Sequence, residues 1–326
     1  MDYHQLNHYI PPVAEGVSEA WRRALGRLGD YTALVLRALN LRPIAVALHA
    51  QTERHLLVRI TTPVEYLILR IAPEDDLAAH VFFVRTLSGQ NIPSARIIQR
   101  DLSRTMVPFA YTLESFVPGM PASALPSEHL LRGAGRQAGR ALRRMHRLSA
   151  PGCGRPTPAG RWRQLRWGQA LRQIGAHLAP APVDALVFGE AERATAAALL
   201  DDPRLEIAQP VVLHGAFGPD AIRCTAGDHV HLEALVEPGR WVGGDGLYDL
   251  ACGLCPLYPQ PWREGLLEGY CAAGPLSPAE QERLPLMRAL SCYWLACYAY
   301  TRAEPYEAAR EEALRAFGAV GLRAPA

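Results

Sequence analysis

The chain has 326 residues, 49% of them hydrophobic and 20% charged, which is enough for one large or two modest domains with cores of their own. A net charge of +2 gives no bulk electrostatic drive toward nucleic acid or a membrane surface. No apolar run reaches the roughly 18 residues that span a bilayer. Residues 1–12 lack the basic and apolar stretches of a secretory leader, so a cytoplasmic protein is expected. The seven cysteines are odd in number and mostly sit in apolar runs, as free thiols of a reducing compartment do. Every one of the 34 Lys and Arg residues is arginine. Lysine chemistry, whether a Schiff base or a compact ammonium on phosphate, is therefore unavailable.

In chain order, Val17, Trp21, Leu25, Leu28 and Leu34 recur at near-helical spacing and predict a helix over 15–40. Short runs rich in Val, Ile and Leu predict strands over 44–48, 56–60 and 65–71. The acidic cluster Glu74-Asp75-Asp76 suits the start of a helix over 75–87. Strands over 95–99 and 109–116 complete a β-β-β-α-β-β order, which reads as one antiparallel sheet with a packed helix. Val117-Pro118-Gly119-Met120-Pro121 breaks the pattern and marks a hinge, dividing the chain into 1–116 and 117–326. Beyond it, helices are expected over 127–148, 160–179, 184–200, 246–256, 261–273 and, with breaks, 278–318. Short strands are expected over 210–213, 221–224 and 230–236, and a Gly/Pro-rich loop over 151–160.

The second half carries the specific motifs. Val211-Val212-Leu213-His214-Gly215-Ala216-Phe217-Gly218-Pro219-Asp220-Ala221-Ile222 is followed by Leu235-Val236-Glu237 and then by Gly244-Asp245-Gly246-Leu247-Tyr248-Asp249-Leu250-Ala251. This series resembles the catalytic loop (211–224) and metal-loop region (230–251) of the aminoglycoside phosphotransferase and choline kinase family. Tyr66-Leu67-Ile68-Leu69-Arg70 resembles that family's third strand. Ile92-Pro93-Ser94-Ala95-Arg96-Ile97 resembles the entry to its fourth, Glu114 through Gly119 its hinge, and Gly139 through His146 the helix after the hinge. Several ordered motifs at compatible spacing are far more specific than any one alone. The resemblance implies an α+β, protein-kinase-like fold of two lobes: a small antiparallel-sheet lobe and a larger, mainly helical one.

Phosphoryl transfer asks a protein to position reactants and neutralise charge. By the resemblance, the position of the proton-accepting carboxylate is Ala216 and that of the metal-binding Asn is Ala221; neither can do that work. Glu237 stands in the second metal position, one methylene longer than Asp. Arg70 stands where a basic residue grips phosphates, with Glu114 at the hinge as a further nucleotide contact. The helix position that holds a Glu in kinases is His80, a poor partner for arginine. Residues 48–54, where a phosphate-covering turn belongs, contain no glycine. His214, Gly215, Pro219, Asp245 and Asp249 are retained, and in the family such residues hydrogen-bond loops and cap helices.

Other groups admit two readings. Asp220 could serve as a substitute base or metal ligand, or as a loop-capping Asx residue. His229, His231 and Glu233 alternate along a strand, so they share one face that could ligate zinc or simply be solvated. Cys252 and Cys255 have metal or redox spacing but lie in an apolar helix. Arg132, Arg136, Arg140 and Arg144 form a stripe, widened by Arg143 and Arg147, suited to an acidic partner or to solvent. Trp162 and Trp167 could line a ligand or partner surface or anchor a core. No Gly-x-Ser-x-Gly, His-Glu-x-x-His, Walker or dinucleotide motif is present.

The sequence thus predicts a pseudokinase of this family, with a place beside biosynthetic enzymes, whose former active-site cleft binds a small molecule, a peptide or a partner protein. No cofactor, nucleic acid or membrane is expected. The alternatives are a divergent phosphotransferase using ATP and Mg²⁺ through Asp220 and Glu237 on a small hydroxylated substrate, and a cleft reused for other chemistry.

Overall fold

A computed structural model describes residues 3–7, 18–163 and 165–319. The chain forms two compact units. The first comprises the described residues of Met1–Arg85, Ala95–Val117 and Thr157–Gly160; the second comprises those of Thr86–Ser94, Pro118–Pro156 and Arg161–Ala326. The expected hinge thus falls at the Val117/Pro118 boundary, while 86–94 go with the second unit.

In the first unit, α1 (His4–Asn7), α2 (Glu19–Gly26) and α3 (Leu28–Ala38) precede β1 (Ala45–Gln51), β2 (Leu56–Thr61) and β3 (Tyr66–Ala72). Then come α4 (Ala78–Gly89), β4 (Ile97–Asp101) and β5 (Ala110–Ser115). The expected single helix over 15–40 is broken at Arg27, whose φ of −132° leaves helical space. Ser18 caps α2 by accepting from the Trp21 N–H, and Asn7 Oδ1 accepts from the Gly29 N–H at 2.7 Å, supplying the cap α3 lacks locally. The part of that expected helix before Ser18, Val17 included, lies outside the described residues. The five strands pair antiparallel in the order β1-β2-β3-β5-β4.

Strand alternation sorts this sheet by face. Val58, Leu69 and Leu113 share one row of the register and pack under Trp21, Leu25, Leu28 and Val35 of the helices. The other face carries the row Leu57, Arg70 and Thr112 and the next row Arg59, Ile68 and Glu114. Ionisable side chains from distant parts of the sequence are thereby placed side by side.

The second unit holds β6 (Met120–Pro121), α5 (Glu128–Met145), α6 (Trp167–Leu178), α7 (Ala181–Val187), α8 (Glu190–Leu199), β7 (Val211–Val212), β8 (Ile222–Ala226), β9 (Val230–Leu235) and β10 (Gly243–Gly244). It ends with α9 (Leu247–Gly253), α10 (Gln260–Cys271), α11 (Pro278–Thr301) and α12 (Glu307–Ala319). The strands form a β6-β8-β9 sheet and a β10-β7 pair. The helix expected over 160–179 begins only at Trp167, because Trp162 is held in a bridge to Pro156. The helix expected over 184–200 is split into α7 and α8 at Phe188, whose backbone is extended.

α5 and α10 pack with their backbones almost touching. A Cβ placed on Gly139 would lie 2.2 Å from the Leu266 carbonyl oxygen, and one on Gly269 would lie 2.0 Å from that of Arg136. Only hydrogen fits at these positions. The arginine stripe on α5 finds its acidic partners here: Arg136 pairs with Glu268 at 2.8 Å and Arg132 with Glu264 at 3.2 Å. Both pairs are exposed, so solvent screening leaves them little net effect on stability.

Two substitutions test this packing. Gly139→Ala should lower the unfolding free energy by about 1–3 kcal/mol through overpacking, against a helix propensity that alone favours alanine by about 1 kcal/mol. Gly318→Ala in α12, with nothing within 4 Å of the added methyl, should be neutral or stabilising. Denaturant unfolding of both variants measures the contrast.

Candidate functional site

The loop after β7 is fixed by main-chain bonds. Asp249, in the first turn of α9, is fully buried. Its Oδ2 accepts from the His214 N–H at 2.6 Å and its Oδ1 from the Gly215 N–H at 2.8 Å. The ring of His146, at the end of α5, reaches the same carboxylate, Nε2 to Oδ2 3.2 Å. His214 Nε2 lies 2.8 Å from the Val236 carbonyl oxygen, and the Gly239 N–H donates to the His214 carbonyl at 2.7 Å. Gly215 has a φ of +79°, and a Cβ there would meet the Trp241 carbonyl oxygen at 2.1 Å, so the turn requires glycine. Asp245 is buried, capping the Leu247 N–H at 3.0 Å and pairing with Arg283 at 3.0 Å. His214, Asp245 and Asp249 therefore sit as frame-holding groups.

On this frame Ala216 is exposed. Ala221 is buried, and its carbonyl accepts from the Val236 N–H at 2.8 Å. Neither methyl can take a proton or ligate a metal. Asp220 is exposed in a short 3₁₀ turn, and its carboxylate accepts a short hydrogen bond from the Ser123 hydroxyl. Glu237 follows β9, half-buried, with its backbone in the left-handed region at φ +53°. Among the described residues no three His, Cys, Asp or Glu side chains gather as a metal-ligand group. His231 and Glu233 pair with each other at 3.3 Å, and Glu233 also accepts from Thr225. Cys252 and Cys255 are buried, with Cys255 Sγ 3.8 Å from that of Cys292. Burial pushes the Cys252 thiol far up, so it is neutral and unreactive at neutral pH.

The two tryptophans separate. Trp167 is 1% exposed, packed on Gly244 and against Tyr248, with ring centroids 6.3 Å apart. This corrects its expected place at a ligand surface: β10 has no side chains, and the indole fills the space they leave. Trp162 is half-buried against Gly243 and Gly152. Gln164, between them, lies outside the described residues.

In the sheet unit, Arg70 and Glu114 meet. Arg70 Nε donates to Glu114 Oε1 at 3.1 Å, and its Nη1 lies 3.1 Å from His55 Nδ1. His80 Nε2 lies 2.7 Å from the same Glu114 oxygen, which also accepts a short bond from the Thr112 hydroxyl. Asp75 lies 4.0 Å from His55 and 3.2 Å from Arg54. Arg70 is 5% exposed and Glu114 2%. Burial alone would raise the Glu114 carboxyl. The Arg70 charge, His80 and the Thr112 hydroxyl outweigh it and hold the group well below the usual carboxylate range. The expectation for this region is therefore corrected. Arg70 does have a carboxylate partner, Glu114, which comes from β5 rather than α4. The signal lay in the register: Arg70 faces Thr112, and Glu114 is two residues on, on the same face. The β1–β2 turn is also closed on itself, because Thr52 Oγ1 accepts from the N–H groups of Arg54 and His55 at 3.3 and 3.0 Å.

The fold and this loop define a class of protein, the kinase-like phosphotransferases. Residues 45–286 match the phosphotransferase enzyme family, APH, and the chain belongs to that family. Among solved structures, it is similar to the aminoglycoside phosphotransferase APH(4)-Ia in a thermostable apo form, at 14% identity and a TM-score of 0.60. That match covers 89% of this chain and 99% of the other. It is also similar to the macrolide 2′-phosphotransferase MphH of Brachybacterium faecium, at 17% identity and a TM-score of 0.56, over 88% and 97% of the chains. These likenesses show an α+β, kinase-like fold. Comparison with curated proteins finds no match. Among the described residues no helix is long and apolar enough to cross a membrane.

The buried ion cluster has a pH signature. Glu114→Ala should cost about 3–5 kcal/mol, because Arg70 stays buried without its carboxylate. A carboxyl depressed in the folded state contributes stability above its unfolded pKa of about 4 and loses it as pH falls toward the folded value. The stability gap between wild type and Glu114→Gln should thus be full at neutral pH and shrink on acidification below about 4. Urea unfolding across that range measures it.

Proposed function

We propose that this member of the family does not transfer phosphoryl groups and acts as a pseudokinase, binding a small molecule, a peptide or a partner protein at the surface its relatives use for catalysis. The observation that carries the reading is Ala216, exposed on a loop whose hydrogen-bonded frame is otherwise intact. A positioned base supplies about 10²–10⁴ in rate, and a methyl supplies none of it. Ala221 removes the amide that would share a metal ion.

A precedent favours binding without chemistry. Variants of APH(4)-Ia with an aspartate changed to alanine, or an asparagine five residues later changed to alanine, form ternary complexes with ADP or AMP-PNP and hygromycin B. Ala216 and Ala221 stand at the same separation. In that fold, ligand binding survives each loss. A small hydroxylated molecule is accordingly the favoured occupant.

The test is thermal unfolding and ADP release with ATP and MgCl₂. The expected result is no metal-dependent rise in Tm and no ADP formed above a buffer control. Metal-dependent ATP turnover that disappears in Asp220→Ala would overturn the reading in favour of a divergent phosphotransferase.

A further inference from the structure

The helical unit carries a half-open cavity of about 260 Å³ beside the start of α9, walled by Arg143, His146, Asp245, Tyr270, Glu280 and Arg283 and by the chain just before β7. Its hydrogen bonding is lopsided. The acceptors are used up: Asp245 takes the Leu247 N–H and Arg283 Nε, both at 3.0 Å. Glu280 takes Arg143 Nη1 at 2.6 Å and the Ser277 N–H at 2.7 Å. The donors are not. Both terminal nitrogens of Arg283, and Nη2 of Arg143, have no partner among the described residues. These side chains are only 21% and 22% exposed. None of these nitrogens is sealed from solvent, and guanidinium N–H groups that face one cavity can donate together to an oxyanion. The remaining wall carboxylate, that of Glu206, is exposed and accepts no hydrogen bond within the described residues. It disfavours a second negative charge on the ligand and fits a hydroxyl or ammonium there.

The cavity also adjoins the loop's frame. His146 lies in its wall, with Nδ1 2.9 Å from the Tyr270 hydroxyl and Nε2 3.2 Å from Asp249. Asp249 in turn holds the His214 and Gly215 N–H groups. Two hydrogen bonds thus separate the cavity from the loop that carries Ala216.

We propose that this cavity binds a small molecule through one carboxylate or phosphate group held by Arg143 and Arg283, and that the His146 ring in its wall reports the bound anion. The site is separate from the surface assigned above, and neither reading needs the other.

The probes are inorganic phosphate and acetate, each titrated into the full-length protein against chloride at constant ionic strength. Tm and the ¹⁵N signals of the histidine rings are followed. At least one anion should raise Tm saturably and shift the His146 ring signals while exposed His229 stays unmoved; the stronger of the two identifies the head group. Arg143→Lys and Arg283→Lys, which keep the charge and lose the fork, should weaken that binding by about tenfold. The proposal fails if neither anion outperforms chloride in the wild-type protein, if His146 does not respond, or if both lysine variants bind as tightly as wild type.

Discussion

One buried carboxylate organises the helical unit. Asp249 accepts two main-chain N–H groups from the loop after β7 and faces the His146 ring from α5, so a loop, a helix end and a second helix converge on a side chain with no solvent exposure. Two N–H donors on one buried carboxylate make strong, charge-assisted bonds, and losing them would strand both donors away from water. The loop's path then depends on main-chain groups and on Gly215. It does not depend on the side chains at 216 and 221, so alanine can occupy both while the chain keeps the course seen in its relatives. Frame and chemistry are held by different atoms, which is how one can persist without the other.

The sheet unit makes a parallel point. Its apolar face packs under α2 and α3, and its other face gathers Arg70, Glu114, Thr112 and His80 into a cluster with little solvent. Here burial makes the Arg70–Glu114 attraction strong, and nothing in water competes for it. The β1–β2 turn repeats the logic with neutral groups, since the Thr52 hydroxyl takes N–H donors that a phosphate-covering turn would leave open.

Much of the fold was legible in the chain itself. Short runs rich in Val, Ile and Leu placed the sheet strands, Gly and Pro marked the break at 117–121, and the family resemblance pointed to the loop at His214 and to Asp245 and Asp249 as its supports. What escaped has a common cause: it depends on contacts between residues far apart in sequence. Arg27 ends a helix because Asn7 caps the next one. Trp167 is core because β10 is two glycines. Asp220 meets Ser123 across 97 positions. The carboxylate partner of Arg70 was sought on α4, where the family keeps it, and lay on β5, where only the strand register could reveal it. The α5 stripe suited an acidic partner or solvent, and two of its arginines, Arg132 and Arg136, find their acids on α10 of the same chain.

The claim that everything else hangs from is that Asp249 holds the loop rigid although positions 216 and 221 carry only methyl groups. Amide hydrogen exchange at His214 and Gly215, read by NMR under native conditions, addresses it directly. If the account is right, both amides exchange only through opening of the whole helical unit, as slowly as the most protected amides of α9 and α11. Fast exchange at either amide, with those helices still protected, would show a loop that frays on its own and would contradict it.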